Sequence, residues 1–187
     1  MVRLVTEPLS REIYNPVQRD RVVFIKTSSE TGGELTLVEL QVSPGGGNPL
    51  HFHTSFTERF MVDEGELGAQ IGKRRLLLHV GESELVPVRT PHRWFNSSTT
   101  SSVRVRVELR PGRPGFEDSL RIGYGLARDG LVNSAGVPRN LLHVAVLAEL
   151  SDTRILGPMR PFNTVRHLAS VARRRGVEAD LKRRYCT

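Results

Sequence analysis

The chain has 187 residues, 38% hydrophobic and 25% charged, which suits one globular domain with a sizeable core and a short appendage. A single cysteine, Cys186, excludes an intrachain disulfide and any multi-thiolate zinc site, so a bound metal would need histidine and carboxylate ligands. No apolar run approaches the ~18 residues of a membrane span, and the opening MVRLVTEPLSREIYNP lacks the apolar segment of a secretory signal, so a cytoplasmic protein is expected.

From about residue 20 to 110 the pattern is that of strands. RVVFIKT (21–27) and ELTLVELQV (34–42) are β-rich runs joined by SSETGG, which reads as a hairpin connection. TERFMVD, GELGAQI, KRRLLLHV, SELVPV and HRWFN follow at short spacing with glycine between them. SVRVRVEL (102–109) alternates strictly: Val103, Val105, Val107 and Leu109 share one face, and Arg104, Arg106 and Glu108 the other. Many short strands with tight turns predict a sandwich or barrel.

After Pro111-Gly112-Arg113-Pro114 the character changes. A helix is predicted from near Pro114 to before Gly130, and a second starts at Pro138 with Leu141, Leu142, Val144, Leu147 and Leu150 at helical spacing. Phe162, Val165, Leu168 and Val171 predict a third, stopped by Gly176, and VEADLKRRY a fourth. These helices are expected to cover the outside of the β domain or a second subunit. The net charge of +7 collects here: residues 1–150 carry 18 basic and 17 acidic side chains, residues 151–187 carry 9 and 3. Arg173, Arg174, Arg175, Lys182, Arg183 and Arg184 read as a solvated helix face. No aromatic side chains are interleaved with these runs and no helix-turn-helix pattern is present, so nucleic acid is not expected as a partner.

Residues 45–65, GGGNPLHFHTSFTERFMVDEG, place Gly45, His51, His53, Glu58 and Gly65 at intervals of G-x5-H-x-H-x4-E-x6-G. Residues 81–96, GESELVPVRTPHRWFN, place Gly81, Pro87, His92 and Asn96 as G-x5-P-x4-H-x3-N. His51 and His53 are two apart and point the same way on a strand. Glu58 lies an odd distance from both, so a turn or bulge within Thr54–Thr57 has to reset the phase. His92, from a later strand, is expected to face them across a barrel. Three imidazoles and one carboxylate suit one divalent transition metal ion: Fe, Mn, Ni, Co, Zn or Cu.

The two segments resemble the paired motifs of the cupin superfamily, and the chain is similar to single-domain bacterial cupins with C-terminal helices. One position departs: Arg89 stands where the second motif has a tight-turn glycine. The resemblance implies an all-β fold, a cupin-type β-barrel (double-stranded β-helix) over residues 1–112, with a helical extension over 113–187 packed on the barrel or on a dimer partner. It implies metal ligands His51, His53, Glu58 and His92, a small-molecule substrate and a homodimer. Phe60 and Val62 share the phase of Glu58, and Trp94 that of His92, so these three are expected to line a substrate pocket. Asn96 reads as securing a strand end, and Gly45–Gly47 as a flexible loop at the barrel mouth. His79, His143 and His167 read as ordinary core or surface residues. The leading expectation is a metal-dependent, dioxygenase-like enzyme acting on a small, partly apolar compound, with Glu58 the candidate catalytic base. A metal-dependent isomerase or epimerase, and a non-catalytic binder, are the alternatives. Cys186 lies among basic residues that could lower its pKa, but a terminal position makes a poor active site.

Overall fold

A computed structural model of the chain describes residues 10–156 and 167–187; of the third predicted helix, Phe162 and Val165 lie outside them. One antiparallel sheet contains β1 (Glu12–Asn15), β2 (Asp20–Lys26), β3 (Thr36–Val42), β10 (Val103–Arg110), β5 (Thr57–Glu64) and β8 (Ser83–Val86), in that spatial order. The other contains β11 (Thr153–Ile155), β4 (His51–His53), β9 (His92–Phe95), β6 (Leu67–Ile71) and β7 (Arg74–Leu78). The all-β fold expected from the sequence is present, followed by helices. Its hydrogen bonds divide into two stacked sheets, a jelly-roll-like sandwich, and do not run as one closed ladder.

The period-2 pattern decides which face each strand buries. On β10, Val103, Val105, Val107 and Leu109 enter the core, paired on one side with β3 and on the other with β5. Arg104, Arg106 and Glu108 point outward, and Arg106 forms a two-pronged bond to Asp63 across the sheet. Phe24, Val38, Leu40, Phe60, Val62, Leu67 and Val86 fill the space between the sheets. Each such side chain contributes roughly 1.5–3 kcal/mol when fully buried.

Helix α1 (Pro114–Arg128) starts at the proline that reading the sequence placed there, where a missing N–H costs nothing. It is fixed to the β-sandwich by Glu117, which accepts hydrogen bonds from the Ser28 backbone N–H at 2.6 Å and the Thr36 hydroxyl at 2.5 Å. One turn on, the Arg121 guanidinium lies over the Phe24 ring at 4.1 Å. Helix α2 spans Leu141–Leu150, three residues later than the predicted start at Pro138. The start is set by Asn140, whose side chain accepts the Leu142 N–H. Helices α3 (Ala169–Arg174) and α4 (Val177–Tyr185) follow, separated by Gly176 at φ 74°.

The helices have a small core of their own, built on Ile122, Leu126, Val146, Ala172 and Leu181. Gly125 makes the close packing possible: a Cβ there would fall 2.2 Å from the Tyr185 ring. The basic runs are tied into this layer. Lys182 pairs with Asp118 and Glu178, Arg173 with Glu149 and Glu178, and Arg184 with Asp129. Cys186 is therefore at the end of a packed helix, where burial pushes its thiol up to about 12 and the low value conceivable from its basic neighbours is not realised. Among the described residues, no helix is long and apolar enough to cross a membrane.

Candidate metal centre

The structure brings His51, His53, Glu58 and His92 together. One ligand atom from each lies within 4.8 Å of all the others, and all four residues are buried. His51 and His92 are direct cross-strand partners on β4 and β9. His53 is two residues along β4. Glu58 comes from β5, in the opposite sheet. The expected arrangement is thus corrected in one respect: it is Glu58 that faces the histidines across the sandwich, and His92 sits beside His51. The phase reset between His53 and Glu58 is a change of sheet.

That change of sheet is held by a residue more than ninety positions away. The Asp152 carboxylate accepts the Thr54 backbone N–H at 2.8 Å, the Thr54 hydroxyl at 2.9 Å and the Ser55 hydroxyl at 2.6 Å. These bonds hold its pKa below the usual carboxylate range although burial pulls the other way. The next three residues form β11, which pairs with β4 so that Thr153 lies opposite His53 and Ile155 opposite His51. The second motif is fixed from its own side. Arg89 adopts φ 59°, the left-handed turn expected of glycine, and its N–H donates to the His53 carbonyl at 2.7 Å. Asn96 donates to the Val42 and Ser101 carbonyls and accepts the Ser98 N–H, securing the end of β9.

The hydrogen bonds of the imidazoles assign their protons. His51 Nδ1 lies 2.8 Å from the Pro49 carbonyl and His92 Nδ1 lies 2.9 Å from the Thr90 carbonyl. A carbonyl only accepts, so both Nδ1 atoms carry hydrogen and both Nε2 atoms point into the cluster. Burial drives the His51 pKa down to about 3, with the His92 and His53 charges adding to the effect. His51 is therefore neutral, and its Nε2 presents a lone pair to His53 Nε2 at 3.1 Å. His53 is oriented by stacking on Phe56, with ring centroids 4.3 Å apart, while its buried Nδ1 has no hydrogen-bond partner among the described residues.

Glu58 Oε2 lies 2.8 Å from His92 Nε2 and 3.6 Å from His53 Nε2. Burial alone would raise the Glu58 pKa, but its bonds to the two imidazoles outweigh this and hold it well below the ordinary value. Burial also opposes charge on His92, yet Glu58 raises its pKa overall. Among the described residues no lysine or arginine pairs with Glu58. The cluster therefore requires positive charge at its centre, supplied by a proton on His92 or by a cation that the Nε2 lone pairs and the carboxylate share. The donor set fits a divalent transition metal ion.

A cavity of about 260 Å³ opens beside the cluster, lined in part by His51, His53, Glu58 and Trp94. Phe60 and Val62, expected on its wall, are elsewhere: they are 0% and 2% exposed in the packed core, with the Phe60 ring centroid 6.2 Å from that of His92. They share the inward phase of Glu58 but are packed in the core and do not line the cavity. Its other walls come from residues the sequence reading passed over: Asp20 and Val22 on β2, Phe116, Leu120 and Tyr124 on α1, and Thr153 and Ile155 on β11. The glycine loop at the mouth is not loose. Gly45 donates to Ser98, the Gly46 carbonyl accepts from Asn96, and a Cβ at Gly47 would approach the Trp94 carbonyl to 2.9 Å. Of the other histidines, His79 pairs with Glu66 on the surface, and neither His143 nor His167 joins the cluster.

Residues 38–109 match the family model described as Cupin domain. The matched segment runs from β3 into β10 and contains all four clustered residues, His51, His53, Glu58 and His92. A search of curated proteins found no match. Among solved structures, an RmlC-like cupin from Shewanella frigidimarina is 20% identical, with 59% of this chain and 96% of that one covered and a TM-score of 0.49. A predicted oxalate decarboxylase from Thermotoga maritima is 14% identical over 59% and 99%, with a TM-score of 0.49. The polyketide cyclase RemF from Streptomyces resistomycificus is 23% identical over 61% and 82%, with a TM-score of 0.46.

Proposed function

We propose that the protein is a metal-dependent enzyme, dioxygenase-like, that acts on a small, partly apolar compound held in the cavity. The observation that carries this reading is the convergence of three imidazole Nε2 atoms and one carboxylate within 4.8 Å, beside a cavity of about 260 Å³. His51, His53, Glu58 and His92 would hold one divalent ion. When bound, such an ion supplies Lewis acidity and, if redox-active, electron transfer to dioxygen.

The chain's own residues do the rest. The Pro49 and Thr90 carbonyls keep the Nε2 atoms of His51 and His92 aimed inward, so the site needs little reorganisation. Glu58 stays ionised and cancels one positive charge in a buried place. Val22, Leu40, Trp94 and Phe116 exclude water and pack against the apolar part of the substrate. Glu58 is also the proposed base, accepting a proton from a substrate hydroxyl. The homodimer and the cytoplasmic location expected from the sequence belong to the same proposal. Exposed Leu77, Val80, Leu85 and Val88, in and beside edge strands β7 and β8, support the former.

The test is oxygen uptake by metal-loaded protein with a panel of catechols, hydroxyketones and β-diketones. Stoichiometric uptake is expected with at least one class, and Glu58→Gln is expected to lower turnover at least 100-fold while lowering metal content less than twofold. Substrate conversion without oxygen uptake would replace the oxygenase with an isomerase. Equal loss of metal and turnover in Glu58→Gln would remove the base role.

A further inference from the structure

Asp20 is the charged group in the cavity that the metal cluster does not use. It stands at the start of β2 and is 8% exposed. Its Oδ2 accepts the Tyr124 hydroxyl at 3.0 Å, and its Oδ1 is buried with no hydrogen-bond partner among the described residues. Among the described residues no lysine or arginine pairs with it. A carboxylate oxygen left unsatisfied in an apolar enclosure is costly, and such atoms call for a specific explanation.

Its position supplies one. Asp20 lines the cavity that contains His51, His53 and Glu58, and also an adjoining hollow of about 280 Å³ that contains none of them. The strand registers set its distance from the cluster: Val22 lies opposite Leu40, Leu40 opposite Val105 and Val105 opposite Val62, four residues along β5 from Glu58, and Asp20 is two residues beyond Val22 in the same direction. Asp20 is therefore at the end of the cavity away from Glu58, and the apolar side chains Val22, Leu40 and Phe116 line the cavity along with both. We infer that Asp20, braced by Tyr124, is a second binding station that accepts a hydrogen bond from a hydroxyl or amine at the far end of the substrate. The substrate is then bipolar: a chelating oxygen pair at one end, an apolar middle, and an O–H or N–H donor at the other. This deepens the proposed function and rests on it.

The protonation of the pair agrees with the geometry. Burial raises the Asp20 pKa to about 6, against the pull of the bond from Tyr124 and of its own backbone N–H, and burial next to Asp20 keeps the Tyr124 phenol protonated far above neutrality. At neutral pH Tyr124 donates, Asp20 is mostly ionised, and Oδ1 is left to accept from the ligand.

Alkyl hydroxamates of three to seven carbons, ending in methyl, hydroxyl or amine, test the inference by calorimetric titration into the metal-loaded protein. At the best length, the hydroxyl- or amine-ended compound is expected to bind at least tenfold more tightly than its methyl-ended counterpart. In Asp20→Asn the preference is expected to fall below threefold while the methyl-ended compound binds as in wild type, which also shows that the variant is folded. Binding of all three series without preference at any length in wild type overturns the inference and leaves the metal reading standing. A preference that survives Asp20→Asn overturns it too. Failure of every hydroxamate to bind overturns the metal reading and, with it, the inference.

Discussion

Returning a divalent transition metal to chelator-stripped protein will raise its melting temperature by roughly 8–16 °C. The cluster is preformed, so a bound ion stabilises the folded state alone, by about 4 kcal/mol at a thousandfold excess over Kd, and each kcal/mol is worth roughly 2–4 °C in a chain of this size. The metal-free protein keeps a neutral His51 lone pair 3.1 Å from a second imidazole nitrogen and a buried carboxylate whose counter-charge is only a proton. Removing one imidazole eases that crowding. Differential scanning calorimetry is therefore expected to show His53→Ala melting within about 2 °C of metal-free wild type and gaining little when metal is added. An equal gain in both proteins would place the stabilising ion elsewhere.

The second large effect falls on Asp152, far from the ligands in sequence. Asp152→Ala leaves the Thr54 N–H and two hydroxyls without their acceptor, next to a buried ligand strand. The expected cost is about 3 kcal/mol, seen as a lower denaturant midpoint, with metal affinity weakened roughly 10–100-fold because the supports of a ligand are lost. The sign of the pH dependence follows from the depressed Asp152 pKa. Its contribution is complete above the ordinary aspartate value of about 4 and is lost as pH falls through the lower folded value. The gap between wild type and Asp152→Ala thus narrows below about pH 4. A gap independent of pH would show that the carboxylate charge is not what matters.

The sequence makes the strands legible because half-buried strands must alternate, as β10 does from Val103 to Leu109. It makes the buried cluster legible because His51, His53, Glu58 and His92 sit at fixed intervals among turn glycines. It does not disclose depth. Phe60 and Val62 have the inward phase of Glu58, yet periodicity cannot tell a cavity wall from the packed core. β11 is three residues long, too short to carry a pattern, and its role depends on pairing with β4 about a hundred residues earlier. Asp20 and Tyr124 are 104 positions apart, and only the packing of α1 on the β-sandwich brings them together. Arg89 shows the reverse: the sequence departs from the glycine of the motif, and the backbone makes the turn regardless, at φ 59°.

Anomalous diffraction from crystals of protein purified without a histidine tag, recorded at the absorption edge of the metal found by elemental analysis, tests the central claim most directly. One peak per chain is expected, about 2.0–2.2 Å from the Nε2 atoms of His51, His53 and His92 and from a Glu58 oxygen. Metal-free protein that takes up no divalent ion, or a peak confined to surface pairs such as His79 and Glu66, would contradict it.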